Sequence, residues 1–118
     1  MEVTIHALEG YLAQNYGGRA NEQSMFMKLV EEMGEVAEIL NQRAGRKAAD
    51  GSDLDQALAT ELADMIHYIM AIAAINGLDM NKTILEKDKK ASIKYHHNMN
   101  LETYLQTMSR ECGYPHGT

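Results

Sequence analysis

Val30–Leu40 reads VEEMGEVAEIL, with Glu31, Glu32, Glu35 and Glu38 threaded between Val30, Met33, Val36, Ala37, Ile39 and Leu40. Apolar residues three and four apart mark an amphipathic helix, because a strand would alternate its sides at every residue. Working outward, the same spacing takes in Phe26, Leu29, Val30, Met33, Ala37 and Leu40. These are expected to form the core-facing stripe of a helix from about Asn21, its N-cap, to Ala44. No part of the chain sustains the period of two that a half-buried strand requires.

The flanking segments repeat the pattern. A first helix is expected over Val3–Tyr16, with Ile5, Leu8 and Leu12 on one side. A third should start after Ser52 or Asp53, both good N-caps, and stop at Asn76-Gly77, a good C-cap pair. Its expected stripe is Leu54, Leu58, Leu62, Met65, Ile69, Ile72 and Ala73. Asp79 can cap a fourth helix reaching about Tyr95, and a short fifth is expected over about Leu101–Ser109. Glycines at 17–18, 45, 51 and 77 punctuate these segments. The expected fold is an all-α helical bundle of four to five helices, with two long antiparallel helices at its centre. Residues 1–110 are expected to form a single domain, and 111–118 a flexible tail.

With 118 residues and a net charge of −6, the chain is a poor partner for polymeric nucleic acid or an anionic membrane surface. A phosphorylated small molecule remains compatible, since a bound metal offsets its charge locally. Cys112 is the only cysteine, which leaves no internal disulfide and no CxxC metal site. The start, MEVTIHALEG, lacks the basic and apolar regions of a signal peptide. The longest uninterrupted apolar run, Tyr68–Ile75, is too short for a bilayer. A soluble, cytoplasmic protein is therefore expected.

The acids carry the chemistry. On a helical wheel Glu32 lies at the edge of the expected stripe beside Val36, and Glu35 one step further round. Glu31 and Glu38 occupy the other flank, where Glu38 is expected to be solvated. An exposed acidic face normally finds Lys or Arg one turn later, but those positions hold Glu35, Val36, Ile39 and Gln42. The next long helix repeats the spacing with Glu61 and Asp64, set among Leu62, Ala63, Met65 and Ile66. Asp is a poor mid-helix residue, because its side chain competes for backbone groups. If the helices are antiparallel, Glu32, Glu35, Glu61 and Asp64 converge, and four carboxylates in one small volume require cations or protons. Hard oxygen donors without a His or Cys framework suit Mg²⁺ or Mn²⁺, and such sites commonly accept substrate phosphates.

KLVEEMGEVAEI (Lys28–Ile39) followed by ELADMIHYIMAIAAINGLDM (Glu61–Met80) resembles the MazG-like, all-α nucleoside triphosphate pyrophosphohydrolases. Their pattern, Glu-Glu-x-x-Glu on one helix and Glu-x-x-Asp on the next, stands here as Glu31-Glu32-Met33-Gly34-Glu35 and Glu61-Leu62-Ala63-Asp64. The resemblance spans about Met25–Lys94. It implies Mg²⁺-dependent hydrolysis of a nucleoside triphosphate to the monophosphate and pyrophosphate, in the manner of a nucleotide-pool house-cleaning enzyme, with Mn²⁺ as a substitute metal. It implies metal ligation by Glu32, Glu35, Glu61 and Asp64. Glu31 would orient or deprotonate the attacking water, or complete the metal cluster. It also implies a homodimer or homotetramer, with the nucleotide site bordered by both subunits. The family's basic helix often reads Lys-x-x-Lys-Asn-x-x-Arg. Here Lys87, Lys90 and Lys94 keep the one-face spacing, while Ala91 and Lys94 stand for the Asn and Arg. With Lys28, these lysines are the candidate phosphate-binding residues, although Lys binds phosphate less directionally than a bidentate Arg.

Other residues have structural readings. His67 follows Asp64 by three but has no matching acidic-x-x-His to complete a di-iron site, so a boundary or interface role is expected. His96 and His97 suit a helix C-terminus. Phe26, Tyr95 and Tyr104 are expected in packing, the methionines in the core, and Arg43, Arg46 and Lys47 in a solvated loop. Two other functions remain open: a non-catalytic member that binds nucleotide or a partner protein, and a phosphoribosyl-ATP pyrophosphohydrolase.

Overall fold

A computed structural model describes residues 1–16, 22–45 and 53–112. Five helices account for nearly all of them: α1 (Ile5–Asn15), α2 (Glu22–Arg43), α3 (Leu54–Ile75), α4 (Met80–Lys94) and α5 (Leu101–Cys112). Among the described residues there is no strand, and the chain is all-α.

The helix ends follow local chemistry. Thr4 Oγ1 accepts from Ala7 N–H at 3.0 Å, Asp53 Oδ1 from Gln56 N–H at 3.1 Å, and Asp79 Oδ1 from Lys82 N–H at 3.0 Å. Each satisfies one of the amides that a helix start leaves without a partner. Asn76 ends α3, and Gly77 follows at φ 65°. Gly77 N–H donates to Ala74 O and Leu78 N–H to Ala73 O, a left-handed cap that glycine adopts without a Cβ clash. Asn21 and Ser52, both expected as caps, lie outside the described residues.

The chain divides into two compact units, Met1–Leu78 and the residues from Asp79 onward. In the first, α3 packs against both α2 and α1. Asn76, at the end of α3, donates its side-chain amide to the carboxylate of Glu22 at the start of α2. Arg43, at the end of α2, pairs with Asp55 at the start of α3, at 3.5 Å. The two long helices are therefore antiparallel, as the sequence predicts. Leu12, Met25, Ile39, Met70, Ala71 and Ala73 are buried. By length and composition α3 is apolar enough to cross a membrane, which the short run Tyr68–Ile75 does not reveal. Its acids, Glu61 and Asp64, and its packing against α1 and α2 make it the central helix of this unit.

The expected stripes need correction. On α2, Phe26, Val30, Met33, Ala37 and Leu40 are exposed, Phe26 at 53% and Met33 at 52%. The packed side carries Met25, Leu29, Glu32, Val36 and Ile39, which keep the same 4-3-4-3 spacing one residue earlier. On α3, Leu62 and Ile69 are exposed together with Ile66. Its less accessible side runs through Leu54, Leu58, Glu61, Met65, Tyr68 and Ile72. Apolar residues fall on two neighbouring stripes of each helix, and the chain covers the one that contains Glu32 on α2 and Glu61 on α3. Glu38, expected to be solvated, is half-buried. The methionines divide likewise, with Met25 and Met70 buried and Met27 and Met33 exposed.

In the second unit α4 packs against α5. Asp88 Oδ2 accepts from Leu101 N–H at 2.6 Å, Asn100 Oδ1 from Thr103 N–H at 2.9 Å, and Lys89 pairs with Glu102 at 3.0 Å. The end of α4 also closes with a left-handed cap, but here the residue is His96, at φ 55°. A Cβ in that conformation carries a steric cost that glycine escapes.

Candidate metal centre

The shifted packing places Glu32 between Leu29 and Val36 on the side of α2 that meets α3. Glu61 lies on the corresponding side of α3, with Asp64 three residues on, so their side chains project together. One carboxylate oxygen each from Glu32, Glu61 and Asp64 lies within 4.8 Å of the other two. Glu32 and Glu61 are half-buried. Glu32 Oε2 is fully buried and has no hydrogen-bond partner.

Such an arrangement is unfavourable in the absence of a counter-charge. A buried carboxylate oxygen ordinarily accepts a hydrogen bond, and its absence incurs a desolvation penalty. Three ionised acids at this spacing also repel one another. Octahedral Mg²⁺ has oxygen ligands at about 2.0–2.1 Å, which sets adjacent ligands about 3 Å apart and opposite ones about 4 Å apart. The triad, with its oxygens within 4.8 Å of one another, is on that scale. The donor set fits a hard divalent cation.

The remaining candidates are placed differently. Glu35 is exposed and lies outside the group that meets within 4.8 Å. Glu31 is exposed on the flank of α2, and Lys28, one turn before Glu32, is also exposed. Lys87, Lys90 and Lys94 belong to α4 in the second unit, and all three are exposed. Lys94 Nζ sits 5.4 Å from the centroid of the Tyr95 ring, and that ring stacks on His97 at 6.3 Å. His67 is exposed, with Nδ1 3.0 Å from Ala63 O, and is not part of the triad. Arg43 is held by Asp55, while Arg46 and Lys47 lie outside the described residues.

Tyr68 of α3 and Asn76 at its end have surroundings that the sequence did not specify. Tyr68, one turn beyond Asp64, is half-buried on the same side of α3, but in sequence it merges into the apolar run ending at Ile75. Asn76 was legible only as a helix terminator. Its side chain also bonds Ile72 O at 2.9 Å while reaching Glu22, which fixes the helices that present the acids.

Residues 20–98, most of the chain and all three triad acids, match the family model of the MazG nucleotide pyrophosphohydrolase domain. Over 74 residues the chain is 28% identical to the uncharacterized protein YpjD of Bacillus subtilis (strain 168). That match covers 63% of this chain and 65% of the relative's length. The fold is similar to the crystal structure of iMazG from Vibrio DAT 722, with a TM-score of 0.60 and 26% identity. This second match takes in 82% of the chain and 100% of its counterpart. With two antiparallel helices presenting the Glu-x-x-Asp acids to Glu32, and a family match over most of its length, the chain belongs to the MazG nucleotide pyrophosphohydrolase family.

Proposed function

We propose that the protein is a Mg²⁺-dependent nucleoside triphosphate pyrophosphohydrolase, converting NTP or dNTP and water to the monophosphate and pyrophosphate. The observation that carries this reading is the meeting of Glu32, Glu61 and Asp64 within 4.8 Å, with Glu32 Oε2 buried and unpartnered. The bond cleaved is the phosphoanhydride between the α- and β-phosphates. A divalent cation at the triad would neutralise phosphate charge and lower the pKa of a bound water. Glu32, Glu61 and Asp64 hold the site on two helices whose ends are tied by Asn76–Glu22 and Arg43–Asp55. Such fixed placement spares reorganisation during the reaction. Glu31 orients the attacking water or takes its proton, and Lys28 supplies positive charge to the phosphates.

The same reading includes self-association. Phe26, Met27, Val30 and Met33 of α2 and Leu62, Ile66 and Ile69 of α3 leave large apolar side chains exposed in a single chain. Contiguous apolar surface of this kind favours a partner, and a second copy of the chain is the occupant proposed here.

A product-resolved screen over canonical and modified NTPs and dNTPs, with Mg²⁺ or Mn²⁺, tests the activity. The expected result is equal release of nucleoside monophosphate and pyrophosphate from at least one of them. Turnover of phosphoribosyl-ATP alone would move the substrate class, and nucleotide binding without turnover across the panel would contradict the enzymatic reading.

A further inference from the structure

His67 stands three residues after Asp64 on α3, exposed and outside the group of acids. Its Nδ1 lies 3.0 Å from Ala63 O, four residues back along the same helix. A carbonyl oxygen only accepts, so Nδ1 carries the hydrogen, and in the neutral ring Nε2 keeps a lone pair. The bond also draws the ring back along α3, over the turn that holds Ala63 and Asp64. Among the described residues no hydrogen bond or ion pair engages Nε2. The helix thus presents one oriented acceptor about 4.5 Å along its axis from Asp64.

Such an acceptor repels phosphate oxygens, which are acceptors themselves, and calls for an N–H or O–H partner. A metal–triphosphate complex offers donors in two places, the waters on its cation and the amino, imino and hydroxyl groups of its nucleoside. His67 lies outside the group that fits the cation, which favours the nucleoside. We infer that His67 accepts a hydrogen bond through Nε2 from the base or sugar of the nucleotide, an inference that rests on the pyrophosphohydrolase reading above. It is a specificity-determining residue, because a nucleotide without a donor at that place leaves the acceptor unpaired.

The experiment compares wild type, His67→Phe and His67→Gln by calorimetry in the presence of Mn²⁺, with two probes. One is the α,β-imido analogue of the best substrate from the screen. The other is inorganic triphosphate, which keeps the phosphates and the metal-bound waters but has no nucleoside. His67→Phe should weaken the analogue by about fivefold or more, the scale of one lost hydrogen bond, and leave inorganic triphosphate within about twofold. His67→Gln keeps an acceptor and should lose less. The ranking of nucleotides by kcat/KM should also flatten in His67→Phe. Equal weakening of both probes would overturn the inference and assign His67 to the cation or the phosphates. Unchanged binding of the analogue would overturn it as well. So would a loss in His67→Phe that comes with a change in sedimenting mass, the mark of an interface histidine. A wild-type protein that turns over no nucleotide would instead remove the reading beneath it.

Discussion

Glu32 shares the packed side of α2 with Leu29, Val36 and Ile39, and a carboxylate oxygen buried there without a partner is unfavourable unless something neutralises it. Two like charges at roughly this spacing repel by on the order of 1–4 kcal/mol, depending on solvent access. Replacing Glu32 by Gln removes one charge and keeps the shape, so the metal-free variant should melt at a higher temperature than metal-free wild type. Adding Mg²⁺ should reverse the order. At about 100 times its dissociation constant a ligand stabilises by about 2.7 kcal/mol, worth several degrees in a chain of this size. Thermal melts with and without Mg²⁺ check this, and an equal Mg²⁺ shift in both proteins would count against the site. The identity of the acids was legible in sequence, because two i,i+3 acidic pairs on consecutive helices lack the cations that a solvated face would carry. The distinction between Glu32 and Glu35 was not. It depends on which of two neighbouring stripes packs, and a one-residue shift of the stripe moves Glu32 from the border to the inside.

At the level of the helices, α2 and α3 each have a packed side and a bare apolar side. The bare side of α3 carries Leu62, Ile66 and Ile69, with Ile66 at 49% exposure, yet that helix is fixed along its other sides by α1 and α2. A lysine at Ile66 should therefore leave the helix content unchanged while disrupting a second copy docked on that side. Sedimentation velocity reads the difference: wild type at twice the 13.2 kDa chain mass or more, and Ile66→Lys at the mass of one chain. A wild type that sediments as a single chain would remove the proposed interface. Helix positions were well predicted because their ends are written locally. Asp53 and Asp79 cap starts, Asn76-Gly77 closes α3, and the helices fall within a few residues of their expected limits. The inward sides were harder to read, since hydropathy assigns apolar residues to the core of one chain even when they lie outside it. α5 also runs to Cys112, three residues past the expected Ser109, where no Gly or Pro interrupts the helix until Gly113.

For the whole molecule, the net charge of −6 opposes the triphosphate proposed as its substrate. The positive charge it owns is concentrated on α4, with five lysines against Glu86 and Asp88. The triad contributes the opposite sign and becomes useful to a phosphate only once a cation sits there. Membership of the MazG family rests on residues 20–98, which include both long helices and all of α4. The central claim is that Glu32, Glu61 and Asp64 hold the cation on which hydrolysis depends. Its most direct test is Mg²⁺-dependent pyrophosphate release by wild type and Glu61→Gln, side by side on the best substrate from the screen. The account predicts Mg²⁺-dependent release by wild type and a loss of about two orders of magnitude or more in the variant, with unchanged circular dichroism. A Glu61→Gln protein releasing pyrophosphate at the wild-type rate would contradict it.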